Sequence, residues 1–189
     1  MRTSTLSPVA DEKIAVLVVP STFGYILVAA TSRGVCCIEL GDDEQTLTQQ
    51  LRTRFPKASF GSGTMQLQAW ASKVLSYIEH PVASLELPLD IQGSAFQCAV
   101  WQALRDIPVG KTVSYTDVAA SVGRPTAMRA VAQACAANPL AVVVPCHRVL
   151  RRDGGLSGYR WGTERKAELL RRESQAWQLN HDIVKVITE

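Results

Sequence analysis

The spacing of the apolar residues changes character along this chain, and that change limits the folds open to it. Residues 14–19, 25–31 and 35–40 are runs of apolar and β-branched side chains, the pattern of strands, with Ser32-Arg33-Gly34 as a turn between the last two. From residue 94 to 107 the spacing lengthens. Phe96, Val100, Leu104 and Ile107 fall on one helical face, and Pro108-Val109-Gly110 stops the run. Between these regions, residues 42–54 predict a helix with acidic residues in its first turn and arginines in its last. Residues 60–64 form a Gly/Ser break, 65–79 a second helix and 85–91 a returning extended segment. Beyond Gly110, helices are expected at 115–122, 126–137 and 163–173, with an apolar strand at 140–144; the tail from 175 to 189 carries no pattern. The fold class expected is an α/β (α+β) N-terminal domain, residues 1–90, with a small β-sheet and helices. A mainly helical C-terminal domain, residues 91–189, contains a helix-turn-helix, and the two join near residues 85–93.

Composition narrows the function. Apolar residues make up 47% of the 189, enough for a packed core. No apolar run is long enough to span a bilayer, and residues 1–11 lack the basic start and apolar segment of a secretory signal; the expected location is cytoplasmic. Five cysteines, at 36, 37, 98, 135 and 146, show neither a disulfide framework nor metal-ligand spacing. No metal and no cofactor is expected. The net charge of +3 is uneven: residues 1–90 balance at −2 and residues 91–189 at +5. A polyanionic partner therefore meets the second half.

Two short helices around Gly123-Arg124-Pro125 have the outline of a helix-turn-helix. On the second, Met128, Val131, Ala132 and Cys135 form the face expected to pack on the domain. Ala127, Ala130, Ala134 and Ala137 form a separate stripe without bulk. Such a stripe either favours helix and packs on another element or lets the backbone sit close in a groove. Arg129 flanks it, an ordinary solvated charge on pattern alone.

Cys146 stands between the apolar segment 140–144 and a basic one, with His147, Arg148, Arg151 and Arg152 after it. Buried cysteine is commonly inert, the reading given to Cys98 and Cys135, but cations beside a thiol lower its pKa and favour the thiolate. Cysteine with histidine also suits an acyl-transfer enzyme. Neighbours on an extended chain point apart, so a water-mediated Cys146–His147 link is easier than a direct one. Glu173 shares a helical face with Leu169 and Leu170. It is either an inward carboxylate for a histidine N–H or an exposed helix-end residue.

These residues match a family. Pro145-Cys146-His147-Arg148-Val149, preceded by Asn138-Pro139 and followed by Leu156-Ser157-Gly158-Tyr159, resembles the O6-alkylguanine-DNA alkyltransferases, in particular the C-terminal domain of bacterial Ada-type proteins. Phe96-Gln97, Val100-Trp101-Gln102-Ala103-Leu104, Ile107-Pro108-Val109-Gly110, Val113-Ser114-Tyr115 and Arg129-Ala130-Val131-Ala132 extend the likeness over residues 15–174.

The resemblance implies single-use transfer of an alkyl group from O6-alkylguanine, and from O4-alkylthymine, in double-stranded DNA onto Cys146 after the nucleotide is flipped out. It implies that His147 deprotonates Cys146 through a water, that Glu173 orients His147, that Tyr115 donates a proton to the departing guanine and that Asn138 orders the turn. Arg129 would fill the space left in the base stack. Ala127, Ala130, Ala134 and Ala137 would approach the minor groove, with Arg124 and Ser114 as further DNA contacts. Tyr159, Val149, Ser157 and Cys135 would line the guanine pocket, and Trp161 would crowd it against bulky O6-substituents. No membrane and no obligate protein partner is implied. The four-cysteine regulatory half of Ada-type proteins is not found, so repair without transcriptional regulation is expected. Alkyltransferase-like DNA binders without chemistry lack the acceptor cysteine, which this chain has. A cysteine hydrolase would turn over repeatedly.

Overall fold

The computed structural model describes residues 13–81 and 85–188, with side chains as far as Leu179; residues 1–11, read above for a signal, lie outside this range. Among the described residues no helix is long and apolar enough to cross a membrane. Chain contacts divide the protein into two units. The first takes the described parts of Met1–Ser72, Glu86–Cys98 and Pro139–Ala141, and the second those of Lys73–Leu85, Ala99–Asn138 and Val142–Glu189. The units alternate along the chain, whereas the expected division at 90/91 is one continuous cut.

In the first unit, β1 (Lys13–Ser21), β2 (Gly24–Ala30), β3 (Val35–Gly41) and β4 (Ser59–Ser62) form a sheet in the order β3-β2-β1-β4. β1–β2 and β2–β3 pair antiparallel, as two-residue-period strands joined by short turns do, and β4 runs parallel to β1, with Lys13 opposite Ser59. The Gly/Ser break expected at 60–64 therefore contains most of a strand. Its glycine and serines carry no β signal; pairing with β1 supplies the strand conformation. The helix α1 (Glu44–Arg54) starts at Asp43, whose carboxylate accepts from the Thr46 N–H at 2.6 Å. Its Leu47 and Leu51, one turn apart, pack with Ile14, Leu27, Ala29, Cys36 and Cys37 as the core of the unit. The segment expected to be extended at 85–91 bridges Val35 at Leu89 and exchanges Val35 N–H to Pro88 O and Asp90 N–H to Val35 O bonds with it.

Helices α2 (Met65–Glu79) and α3 (Ala95–Arg105) follow. The second unit contains β5 (Val113–Ser114), α4 (Tyr115–Ser121), α5 (Met128–Ala136), β6 (Val149–Leu150), parallel to β5, and α6 (Thr163–Thr188). Ser114 and Asp117 form a reciprocal capping box at the start of α4. Between α4 and α5 the chain turns at Gly123, whose φ of +70° suits a residue without a Cβ. Trp101 anchors α5 by donating its indole N–H to Ala134 O at 2.8 Å. α6 runs well beyond the expected end at 173.

The apolar strand expected at 140–144 is not one. Leu140 makes a single bridge to Ile38, and the chain then turns, with Val142 at φ +61°. That conformation is costly for a β-branched residue and ends any extended run. The Asn138 amide holds the turned chain by donating to Val144 O at 2.8 Å.

Candidate active site

The turn after Val142 delivers Cys146. Pro145 leads into a single 3-10 turn, Cys146–Arg148, closed by Arg148 N–H to Pro145 O and Val149 N–H to Cys146 O. Three successive side chains then diverge by roughly 120° each, so adjacent residues enter different surroundings. Cys146 Sγ accepts from Asn138 Nδ2 at 3.2 Å and faces a cavity of about 600 Å³. Tyr115, Ala132, Cys135, Ala136, Ser157, Tyr159 and Arg160 share the walls of this cavity. Tyr115 Oη and Ser157 Oγ are hydrogen-bonded to each other in its wall at 2.7 Å.

His147 and Arg148 turn the other way, into the protein. His147 Nε2 meets Glu173 Oε1 at 2.8 Å, and Nδ1 is buried with no hydrogen-bond partner among the described residues. Arg148 donates to both Glu173 oxygens, at 2.8 and 2.9 Å, to Tyr77 Oη at 2.8 Å and to Ile107 O. Glu173 is thus the inward carboxylate of the two readings. Nothing in its helical spacing marks it as serving two partners.

The electrostatics correct one expectation. The cations following Cys146 were expected to lower its pKa. Instead Arg148 is spent on Glu173 and Arg151 and Arg152 are exposed, while the thiol is only 4% exposed. Burial pushes it up to about 11, against the downward pull of the Asn138 hydrogen bond, Lys166 and Arg160. Burial likewise raises Cys135 to about 12. His147 is lowered by burial despite its bond to Glu173, which leaves the imidazole neutral at pH 7. The resting pair is a thiol and a neutral base. Tyr115 is raised by burial and keeps its proton.

Lys166 was missed. It is fully buried in α6 and donates to Val149 O at 2.6 Å and Ser157 Oγ at 3.0 Å. Its signal was legible: Lys166, Leu169, Leu170 and Glu173 repeat at three- and four-residue steps, one helical face. Arg160, in the cavity wall, was also missed.

Other expected pocket and surface residues fall differently. Val149 is buried in β6 and stands outside the cavity wall, engaged there through its carbonyl. Trp161 is 4% exposed and packs edge-on behind Tyr159, with ring centroids 5.1 Å apart, and Arg160 lies 5.7 Å above its ring. It supports the wall without lining it, so the expected obstruction to bulky substituents is not observed. We expect Trp161→Ala to cost about 3–5 kcal/mol of stability and to gain no transfer from O6-benzylguanine, measured as melting temperature and benzyl incorporation. A stable variant with faster benzyl transfer would return Trp161 to the pocket.

The face of α5 is rotated from the one expected. Val131, Ala134 and Cys135 are its buried residues, Ala134 at 2%, whereas Met128 is 46% exposed. Ala134 therefore belongs to the core and Met128 does not. Arg129, Gln133 and Ala136 are exposed, Ala127, Ala130, Ala132 and Ala137 are half-buried, and Arg124 is exposed in the preceding turn. Ser114, expected on DNA, is occupied as the cap of α4. Among the described residues no three His, Cys, Asp or Glu side chains are grouped to hold a metal.

Residues 95–175 match the model of the 6-O-methylguanine DNA methyltransferase, DNA binding domain. A methylated-DNA–protein-cysteine methyltransferase of Methanosarcina barkeri is 35% identical over 156 residues, which cover 82% of this chain and 94% of that protein. The chain belongs to the methylated-DNA–protein-cysteine methyltransferase family. A second relative, the bifunctional transcriptional activator/DNA repair enzyme Ada of Escherichia coli, is 53% identical over 80% of this chain, and the match spans 43% of the length of Ada. The crystal structure of Mycobacterium tuberculosis OGT in complex with DNA superposes with a TM-score of 0.71 at 30% identity, covering 87% of this chain and 94% of that one. The mixed α+β architecture is that of these methyltransferases. The segment matched to the family's DNA-binding domain contains every candidate residue from Tyr115 to Glu173.

Proposed function

We propose that this chain repairs DNA by moving the alkyl group of O6-alkylguanine, and of O4-alkylthymine, irreversibly onto Cys146. One observation carries the reading: the Cys146 thiol faces a cavity wide enough for a base, held by Asn138 and adjoining a buried His147–Glu173 pair. An O6-alkyl carbon is out of reach inside a duplex, so the nucleotide leaves the stack and enters this cavity. His147, neutral and tied to Glu173 through Nε2, keeps Nδ1 to take the thiol proton through an intervening water. The thiolate displaces guanine from the alkyl carbon, forming a C–S bond as the C–O bond breaks. Tyr115, hydrogen-bonded to Ser157, supplies the proton the departing guanine needs. A thioether is not reversed by thiol exchange, so each chain acts once.

For DNA, the exposed face of α5 in the α4–α5 helix-turn-helix is the proposed minor-groove surface. It carries the exposed Ala136 beside the half-buried Ala127, Ala130, Ala132 and Ala137. Arg129 enters the stack in place of the flipped base, offsetting part of the few kcal/mol of unstacking. The domain division at 90/91 is kept as a functional one, the chemistry lying wholly after it.

Reaction with duplex DNA carrying O6-methylguanine tests the reading: one methyl per chain, on the Cys146 peptide, and no second turnover. Repeated turnover, or an unmodified Cys146, overturns it. Arg129→Ala should slow repair of the duplex about tenfold or more beyond any effect on the free base, because only the duplex requires flipping. Equal losses on both substrates exclude a role in extrusion.

A further inference from the structure

The family match ends at residue 175, but α6 continues and places Trp177 one turn after Glu173 on the same face. Trp177 is pressed against the turn that ends the α3 region. At Gly110 a Cβ would lie 2.6 Å from Trp177 Cβ, 2.9 Å from Trp177 Cγ and 3.3 Å from Glu173 O. Gly110 also has φ +75°, so both the backbone conformation and the space demand glycine there. The neighbouring Lys111 carries its ammonium 4.2 Å above the Trp177 ring. The turn is closed by Lys111 N–H to Pro108 O, and just before it Ile107 O accepts from Arg148.

These contacts close a ring. Glu173 grips Arg148, Arg148 holds Ile107, the turn runs from Ile107 to Gly110, Gly110 seats Trp177, and one helical turn leads from Trp177 back to Glu173. Without Trp177, the Gly110 turn loses the indole that α6 seats against it. The same turn leads directly through β5 into Tyr115, the proposed proton donor.

We propose that Trp177 is a positioning residue for alkyl transfer, clamping α6 onto the Gly110 turn so that Glu173 holds His147 in register with Cys146. This proposal rests on the function argued above, and Trp177 acts through Glu173 without touching substrate. Small misplacements of a catalytic group remote from the mutated site cost up to about a hundredfold in rate.

The test compares full-length wild type, Trp177→Ala and Trp177→Phe. Two quantities are read: the single-turnover rate with O6-methylguanine DNA, and the pH dependence of Cys146 alkylation by iodoacetamide, both corrected for the folded fraction from thermal melts. The expected result is a loss of about tenfold or more in transfer for Trp177→Ala, with a displaced pH profile for Cys146. Trp177→Phe, which keeps a flat ring on Gly110, should restore both. If the alanine variant is largely unfolded, the same readings are taken on Trp177→Leu, which keeps apolar cover but no ring. Wild-type rates, or a loss proportional to unfolding with an unchanged pH profile, overturn the clamp. Absence of methyl transfer by the wild type sinks the proposed function instead, and the iodoacetamide profile still judges Trp177.

Discussion

Replacing Cys146 by serine should abolish methyl transfer while leaving the fold intact. The two side chains differ by one atom, and the Asn138 amide can donate to a hydroxyl as it does to Sγ, so the turn has no reason to rearrange. The chemistry is lost because an alcohol is far harder to ionise than even this thiol, and neutral His147 is too weak a base to make an alkoxide. The measurement is intact mass before and after incubation with O6-methylguanine duplex. Wild type gains one methyl per chain, and Cys146→Ser gains none. The other cysteines are internal controls. Cys98 is exposed and is not among the residues lining the cavity, and Cys135 lines it with a thiol raised to about 12 by burial. A methyl group on Cys98 in the wild type would mean that accessibility, not the site, selects the acceptor. A methyl group on Cys135 in the variant would mean that the cavity activates either thiol.

The second large effect is expected at Glu173, and it combines stability with chemistry. Glu173→Gln leaves the Arg148 guanidinium buried against Tyr77 and Ile107 without its counter-charge. Breaking a buried pair in this way costs about 3–5 kcal/mol. It also replaces the acceptor of the His147 ring with an amide, so transfer should slow even under conditions where the variant is folded. Urea unfolding and single-turnover rates at low temperature measure the two losses separately. A wild-type midpoint would show that the Arg148 contacts are dispensable; a wild-type rate would return His147 to independence from Glu173.

The pH dependence of stability follows with a definite sign. Burial alone would raise the Glu173 carboxyl, but the hydrogen bonds and charge from His147 and Arg148 outweigh it and bring it to about 2. A depressed carboxylate stabilises the fold above its unfolded value, about 4.3, and that contribution, roughly 3 kcal/mol, disappears as pH falls toward 2. His147, lowered by burial, acts in the same direction: the unfolded imidazole takes a proton below about pH 6.5 and the buried one resists it. Wild-type stability should therefore fall in two stages on acidification, and Glu173→Gln should lack the lower one.

Several features of the site were legible in the residues alone. Cys146 with its flanking motif, the helix carrying Glu173, and the α4–glycine–α5 outline rest on local spacing and turn chemistry, which survive in any tertiary setting. For Glu173 the helical face shared with Leu169 and Leu170 left inward and exposed readings open, and the fold decided for the inward one. The same reasoning extended to Lys166 and Trp177 would have completed the stripe. Failures arose where a local pattern admits two orientations. An alanine-rich helix can bury either side, and only the burial of Val131, Ala134 and Cys135 in the folded protein decides which one.

Cys146 and His147, the proposed nucleophile and base, are named by sequence, because their chemistry belongs to the side chains and their adjacency to the chain. The state in which they rest was decided by tertiary structure. Arg148, counted from sequence as a cation beside the thiol, is carried by the 3-10 turn to Glu173, Tyr77 and Ile107, and its charge is neutralised there. Residues 140–144, read as a strand, bend at Val142 and bury Cys146 instead of presenting it at an edge. Desolvation depends on everything surrounding a group, from distant parts of the chain, and no local spacing encodes it. Hence the sequence could name the proposed acceptor, while only the folded protein buries it and raises its pKa.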